Sequence, residues 1–315
     1  MDAQGGVICS GNLVLDILVR PVERIVFDTT TWVESIEQHL GGNGANTSYT
    51  LARLGVPVKL LGMVGRDSFG DVLIEKLEAA GVDVSCVERG REATATTVAL
   101  VDPSGRRAFL HRPGVSAEVF ASPIPFTSTH RERFAFYHLA NAFGLPLLRT
   151  SAAGSLQKAR AVGLRTSFDA GWDARGEWMA VLGPCLPFID LLFVNQDECR
   201  MLTGHTDARR AARTLLDSGA GAVVVKLGAR GCAVFRVREE FESPGFRVAV
   251  IDTTGAGDCF AGGFLAGLYH GLSDLEAARL ANATGALSVQ RLGSVAGLLS
   301  LSEIRTWMTG AVLST

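Results

Sequence analysis

Along most of the chain, short apolar runs alternate with longer stretches in which apolar positions recur at helical spacing. "VKLLGMVG" (58–65) is a buried-strand candidate, and "SFGDVLIEKLEAAGV" (68–82) after it is amphipathic. "FAFYHLA" (134–140) precedes the helical "PLLRTSAAGSLQKARAVG" (146–163). "LRTSFDA" (164–170), "IDLLFVN" (189–195) and "GAVVVKLG" (221–228) follow, with helical stretches between most of them. Strands that alternate with helices predict a parallel sheet covered by helices on both faces. Such sheets bind ligands beyond the carboxyl ends of their strands. Two regions break the alternation. Residues 12–40 lack a long helical period, and 93–112 reads as two strands around an Asp-Pro-Ser-Gly turn. These two regions are expected to pair as a small extra sheet, a lid over the main one; edge hairpins are the plainer alternative.

The 315 residues suit one large α/β domain or two medium ones. Thirty basic residues against 32 acidic give a net charge of −2, with no basic block, so nucleic acid and anionic membranes find no electrostatic support. The six cysteines are scattered singly and read as reduced core thiols of a cytosolic protein. The N-terminal residues carry no basic, apolar leader pattern, and no apolar stretch reaches membrane-spanning length. His39, His130, His138, His205 and His270 lack metal-ligand spacing, and Trp172 and Trp178 read as packing residues.

The chemistry concentrates in "DTTGAGDCFAGGF" (252–264). Gly255, Ala256 and Gly257 let backbone N–H groups converge at the start of a helix that begins near Gly257, an anion site suited to phosphate. Asp258 at that start is either an N-cap or a general base beside the anion hole. A second glycine-rich run, "GGNGAN" (41–46), opens a helix over 44–54. Alone it is as well read as a strand–helix turn as a ligand site, although Asn46 can both donate to and accept from hydroxyls. Asp16 within "LVLDILV" needs a partner if buried, and otherwise faces outward. Glu198 in "NQDECR" (195–200) reads by itself as a solvated acid in the first turn of a helix.

The run "DTTGAGD" resembles the C-terminal signature of the ribokinase (PfkB) family of carbohydrate kinases, and "GGNGANTSYTLARLGVPVKLLGMVG" (41–65) resembles its N-terminal motif. Two motifs in the right order, about two hundred residues apart, make a specific match that extends over nearly the whole chain. The resemblance implies one ribokinase-like α/β/α doubly wound domain over 1–315, its lid formed by about 12–40 and 93–112. It implies transfer of the γ-phosphoryl of ATP to a sugar hydroxyl, assisted by Mg²⁺. Asp258 would be the base and Gly255, Ala256 and Gly257 the anion hole. Asp16, Gly42, Asn46 and Asn141 would line the sugar site. Asn195, Lys226, Gly228 and Asn282 would serve the nucleotide, and Glu198 the Mg²⁺, through water. Asp252 and Thr254 match a K⁺ site found in many relatives, and a homodimer through the lid is implied.

The chain departs from the family pattern at four places, one of them Lys226, where many relatives carry Thr. "SFDAGWDARGEW" (167–178) lacks the usual Pro and Asn after Asp169, which puts the contact of Asp169 with phosphate in doubt and leaves Arg175 as loop support. Asn43 stands where ribokinases usually have Lys, and Asn141 where ribokinase has an acid. Both weaken a claim for ribose itself. A nucleoside kinase of the same fold is the nearest rival, with Trp32, Phe109 and His111 available for a base slot; His111 and Arg112 sit at the end of a lid strand. A sugar sensor without activity is disfavoured by the presence of Asp258. A dinucleotide-dependent dehydrogenase is disfavoured because "GVICSGN" lacks the required glycine spacing.

Overall fold

The computed structural model describes residues 5–314. Their strands are β1 (Gly6–Ser10), β2 (Val14–Arg20), β3 (Ser35–Gly41), β4 (Val58–Val64), β5 (Asp83–Arg89), β6 (Thr96–Val101), β7 (Arg107–Arg112), β8 (Phe134–Ala140), β9 (Arg165–Asp169), β10 (Leu191–Asn195), β11 (Val223–Lys226), β12 (Cys232–Phe235) and β13 (Glu240–Ser243). The helices are α1 (Asn43–Arg53), α2 (Ser68–Ala79), α3 (Ser128–Arg133), α4 (Leu148–Ala161), α5 (Met179–Leu182), α6 (Gln196–Thr203), α7 (Ala208–Asp217), α8 (Ala256–Tyr269), α9 (Asp274–Ser288) and α10 (Leu301–Gly310). Each predicted apolar run contains a strand, and the predicted helices end within a few residues of the expected limits.

Nine strands form the main sheet in the order β13-β12-β11-β10-β9-β8-β1-β4-β5. Neighbours from β5 to β11 are parallel, and β12 and β13 add an antiparallel edge. Two apolar cores explain the uninterrupted hydrophobicity of the central strands. In β1, Val7 and Cys9 enter the core shared with α1, α2, α8 and α9, whereas Ile8 enters the core shared with α4 and α7. With both faces covered, polar alternation would bury unpaired groups, so a continuous apolar run is required. The predicted three layers are therefore present.

The two irregular regions do pair with each other. β2 is antiparallel to β3 and parallel to β6, and β6 turns back antiparallel into β7 through the expected turn, where Gly105 N donates to Asp102 O (2.9 Å). This four-stranded sheet is separate from the main one.

The strand order places the functional residues. The sheet grows from β1 toward β4 on one side and toward β8 on the other, so the connections diverge between β1 and β8. At the carboxyl ends on the β8 side stand Asp169, Asn195 and Lys226, the last residues of β9, β10 and β11. Asn195 and Lys226 are register partners, which sets the two side by side at the rim.

Candidate active site

The loop before α8 is built around Asp252. Its Oδ1 accepts from Thr254 N (2.8 Å) and its Oδ2 from Gly293 N (3.0 Å). Gly255 then takes φ = 75° as the helix N-cap. A Cβ there would lie 2.5 Å from Ser294 Cβ, so both backbone angle and space demand glycine. At Gly257 a Cβ would lie 3.2 Å from Lys226 Nζ, and its absence lets the ammonium approach the first turn. The N–H groups of that turn have no intrahelical acceptor and carry the positive end of the helix dipole.

Asp258 is the third residue of α8, and no side chain caps that helix, so the N-cap reading fails. Its carboxylate instead accepts from Asn43 Nδ2 at Oδ1 (2.7 Å) and from Asn46 Nδ2 at Oδ2 (2.9 Å). Burial pushes its pKa up to about 6, and nearby Asp169 adds to the rise; the two amides and Lys226 oppose it. Each carboxylate oxygen retains a lone-pair direction for a further donor.

The first glycine-rich motif positions both amides. Gly42 caps α1 at φ = 91°, and Asn43 N donates to Asn12 Oδ1 (2.9 Å). Asn46 is buried with Oδ1 accepting from Ser294 Oγ (2.8 Å), so its amide is committed to Asp258 and Ser294 and does not stand open to sugar hydroxyls. Asn141 is likewise committed: Nδ2 donates to Asn43 Oδ1 (2.8 Å), and Oδ1 accepts from Gly144 N (3.0 Å). Asn141, through Asn43, and Asn46 thus support the Asp258 carboxylate from either side. Asn43, marked in the sequence only as a departure, is the residue that links Asn141 to it.

Asp16 lies on β2 with its carboxylate against Gly41; a Cβ on Gly41 would fall 2.1 Å from Oδ2. Burial raises the Asp16 pKa to about 6, a hydrogen bond from Thr97 opposes the rise, and the charges of Asp252 and Asp258 add to it. Asp16 therefore faces the same acidic neighbourhood as Asp258 rather than outward.

A cleft of about 630 Å³ runs from Asp258 past Asp169, Glu198 and Lys226 to apolar walls that include Phe246 and Val289. Asn195 and Glu198 form a reciprocal capping box of α6: Glu198 N donates to Asn195 Oδ1 (2.8 Å) and Asn195 N to Glu198 Oε2 (2.7 Å). Glu198 is only 4% exposed, which rules out a solvated acid. The box locks one carboxylate oxygen, and burial raises the pKa while Lys226 opposes the rise. Lys226 Nζ donates to both oxygens of Asp169 (2.8 and 2.9 Å). Asp169 is therefore part of the site despite its divergent sequence context. Gly228 (φ = 62°) opens the turn between β11 and β12 on the cleft wall. Asn282 also lines the cleft, but its Nδ2 is spent on Ser243 O (3.0 Å) and Pro244 O (3.1 Å), where it holds the wall in place.

Several expectations are corrected. The oxygens matched to K⁺ share a guanidinium: Arg107 Nη1 donates to Asp252 Oδ1 (2.6 Å) and Thr254 Oγ1 (2.7 Å). The loop after β9 is held by Arg149, whose Nη1 and Nη2 bind Asp173 (2.9 and 3.1 Å), while Arg175 is exposed. Cys86 is exposed; the other five cysteines are buried, and none is in a disulfide. Trp178 is buried, but Trp172 stands 54% exposed against it. Among the nucleoside-slot candidates, Trp32 and Phe109 are exposed, and His111 Nδ1 lies 3.1 Å from Thr97 Oγ1. Arg112 Nη2 donates back to Thr94 O (3.1 Å), just ahead of β6. Among the described residues, no group of three or more His, Cys, Asp or Glu could hold a metal ion by itself.

Comparison with known proteins converges on this architecture. The profile of the pfkB family carbohydrate kinases matches residues 6–300. An uncharacterized sugar kinase of Archaeoglobus fulgidus is 31% identical over 251 residues, covering 79% of this chain and 97% of that protein. The ATP-dependent ribose-1-phosphate kinase of Halopiger xanaduensis is 33% identical, covering 91% and 93%. An E. coli protein described as a candidate ribokinase II, solved in complex with ATP and Mg²⁺, superposes with a TM-score of 0.84 at 26% identity, covering 97% and 99%. With both glycine motifs meeting at one carboxylate on the ribokinase fold, the chain belongs to the pfkB family of carbohydrate kinases and is an ATP-dependent sugar kinase.

Proposed function

We propose that this kinase transfers the γ-phosphoryl group of ATP to a hydroxyl of a sugar or sugar derivative other than plain ribose, with Asp258 as general base. The observation that carries the reading is the Asp258 carboxylate: buried, raised to about 6, and set on the first turn of a helix beside the cleft. In the reaction the substrate oxygen forms a bond to Pγ, its proton passes to Asp258, and the bond from Pγ to the ADP oxygen breaks. Ala256 N donates to Thr253 O (3.3 Å), so the N–H groups of Gly255 and Gly257 and the Lys226 ammonium offset the charge that spreads over the transferred group. Asp16 accepts hydroxyls at the sugar edge, Gly42 keeps the α1 start close to it, and Asn141 and Asn46 hold the base. Asn195, Gly228 and Asn282 shape the nucleotide wall.

The donor set fits Mg²⁺ that enters with the nucleotide and keeps its water. One Glu198 oxygen is locked in the capping box and the other is available to such water, and both Asp169 oxygens are already bound to Lys226. Mg²⁺ would supply charge neutralisation between the phosphates.

Amides at Asn43 and Asn141, where ribokinase has Lys and an acid, remove both charges from the far side of the pocket. That change of charge pattern favours a substrate other than plain ribose. A coupled ADP-release assay over sugars, sugar phosphates, sugar acids and nucleosides tests the reading. Ribose as best substrate would refute the specificity, and no turnover on any polyol would refute the assignment.

The apolar side chains Phe27, Trp32, Ile36, Phe109 and Leu110 are exposed on the small sheet and the loop joined to it. A patch of this kind favours a homodimer through the lid, measured by light scattering on the eluting protein. Unpaired, mostly buried thiols support a reducing, cytosolic location. No helix among the described residues is long and apolar enough to cross a membrane.

A further inference from the structure

Arg107 is the first residue of β7, on the small sheet, yet its side chain reaches the loop before α8. Nη1 contacts Asp252 Oδ1 and Thr254 Oγ1, and Nη2 lies 3.4 Å from Ile251 O. A carboxylate, a hydroxyl and a carbonyl thus converge on one cation. They are hard oxygen donors of the kind that would otherwise hold a monovalent metal ion. The ion pair is well covered, with the side chains of Arg107 and Asp252 17% and 3% exposed. Two hydrogen bonds from one nitrogen at 2.6 and 2.7 Å occupy the space between Asp252 and Thr254, and a second cation there would be repelled at contact distance. K⁺ therefore does not fit this arrangement.

We propose that Arg107 supplies, from within the chain, the positive charge that orders the anion loop, so that turnover does not depend on a monovalent cation. The chemistry runs through Asp252. With Arg107 at Oδ1 and the N–H groups of Thr254 and Gly293 at the two oxygens, the carboxylate is fully engaged and pins residues 252–254. Burial works against its ionisation, but these hydrogen bonds and the Arg107 charge outweigh burial and hold its pKa below the usual carboxylate range. Thr254 precedes Gly255, whose left-handed backbone directs the first N–H groups of α8. Arg107 touches no reacting atom and is a positioning residue. Because it belongs to the small sheet, its contribution to the order of the loop is present only while that sheet is seated against it. A free ion would impose no such condition.

The inference rests on the reading of Asp258 and its loop as the catalytic centre. The first test needs no variant: kcat of the full chain in KCl, NaCl and tetramethylammonium chloride at equal ionic strength and saturating Mg²⁺. Rates within about twofold across the three salts are expected, and a kcat several-fold higher in K⁺ would overturn the proposal. The second test is Arg107→Met. It should lower kcat by about 10- to 100-fold, the range for residues that orient a functional group from behind, with the sugar KM little changed. Added guanidinium or K⁺ should restore part of the loss. ADP affinity by calorimetry confirms that the variant is folded, and Arg107→Lys serves if it is not. Wild-type kcat in a folded Arg107 variant would overturn the role of Arg107 while an inert Asp258→Asn enzyme leaves the centre standing. A fully active Asp258→Asn enzyme would remove the centre and this inference together.

Discussion

Asn43 Nδ2 lies 2.7 Å from Asp258 Oδ1, a contact that joins the two glycine-rich motifs across 215 positions of sequence. Asn43 donates and Asp258 accepts, so the bond stabilises the ionised carboxylate and lowers a pKa that burial has raised. Asn43→Ala removes the donor. The acid limb of kcat, expected near pH 6 in the wild type, should then move to higher pH, so that activity at pH 6 falls more than activity at pH 8. A pH–rate profile measures the shift, and an unmoved limb would show that Asn43 does not tune the base.

Asp258→Asn keeps the shape and abolishes the proton acceptor. If general-base action contributes the usual ~10²–10⁴-fold, kcat falls at least that far while calorimetry still detects ATP binding. Near-normal turnover of the folded variant would remove Asp258 from the mechanism.

Asp16 and Asp258 are both raised to about 6, and the proposed roles separate them into substrate binding and proton transfer. Asp16→Ala should raise the KM for the sugar far more than the KM for ATP, because the hydroxyls it accepts lose a partner in a desolvated site. Acidification through pH 6 protonates both groups in the free enzyme, so kcat/KM should fall more steeply with acid than kcat. In Asp16→Ala the extra steepness should vanish. Steady-state kinetics at four or five pH values is sufficient to decide this.

Lys226 sits between Asp169, bound at 2.8 and 2.9 Å, and the charge of Glu198. Lys226→Met leaves two buried carboxylates without their cation. Breaking a buried pair from one side costs roughly 3–5 kcal/mol, and urea denaturation should register a loss of that order at pH 8. The loss should shrink as pH falls, because the Glu198 carboxylate, already raised by burial, takes up a proton in the folded state once its opposing cation is gone. A rise in the ATP KM should accompany it. A stability equal to that of the wild type at pH 8 would mean that the pair is of no structural consequence.

Local pattern was enough for the architecture. Continuous apolar runs such as "FAFYHLA" can be buried on both faces only in a sheet covered by helices, and alternation with helical periods makes that sheet parallel. The glycines at 42, 255 and 257 also carried their meaning locally, because left-handed backbone and close approach are properties of the residue itself. Partner choice did not. Asn46 and Asn141 look like sugar ligands in isolation, and only folding brings Asn43 and Ser294 close enough to claim their amides. Asp169 looks displaced from its motif until β11 sets Lys226 beside it. Arg107 lies in an unremarkable hairpin, and nothing in its neighbours along the chain points to Asp252, 145 positions away. A side chain's hydrogen-bonding capacity is written in its type, but which donor meets which acceptor depends on distances of a few ångströms between distant segments. The tertiary structure alone decides those distances.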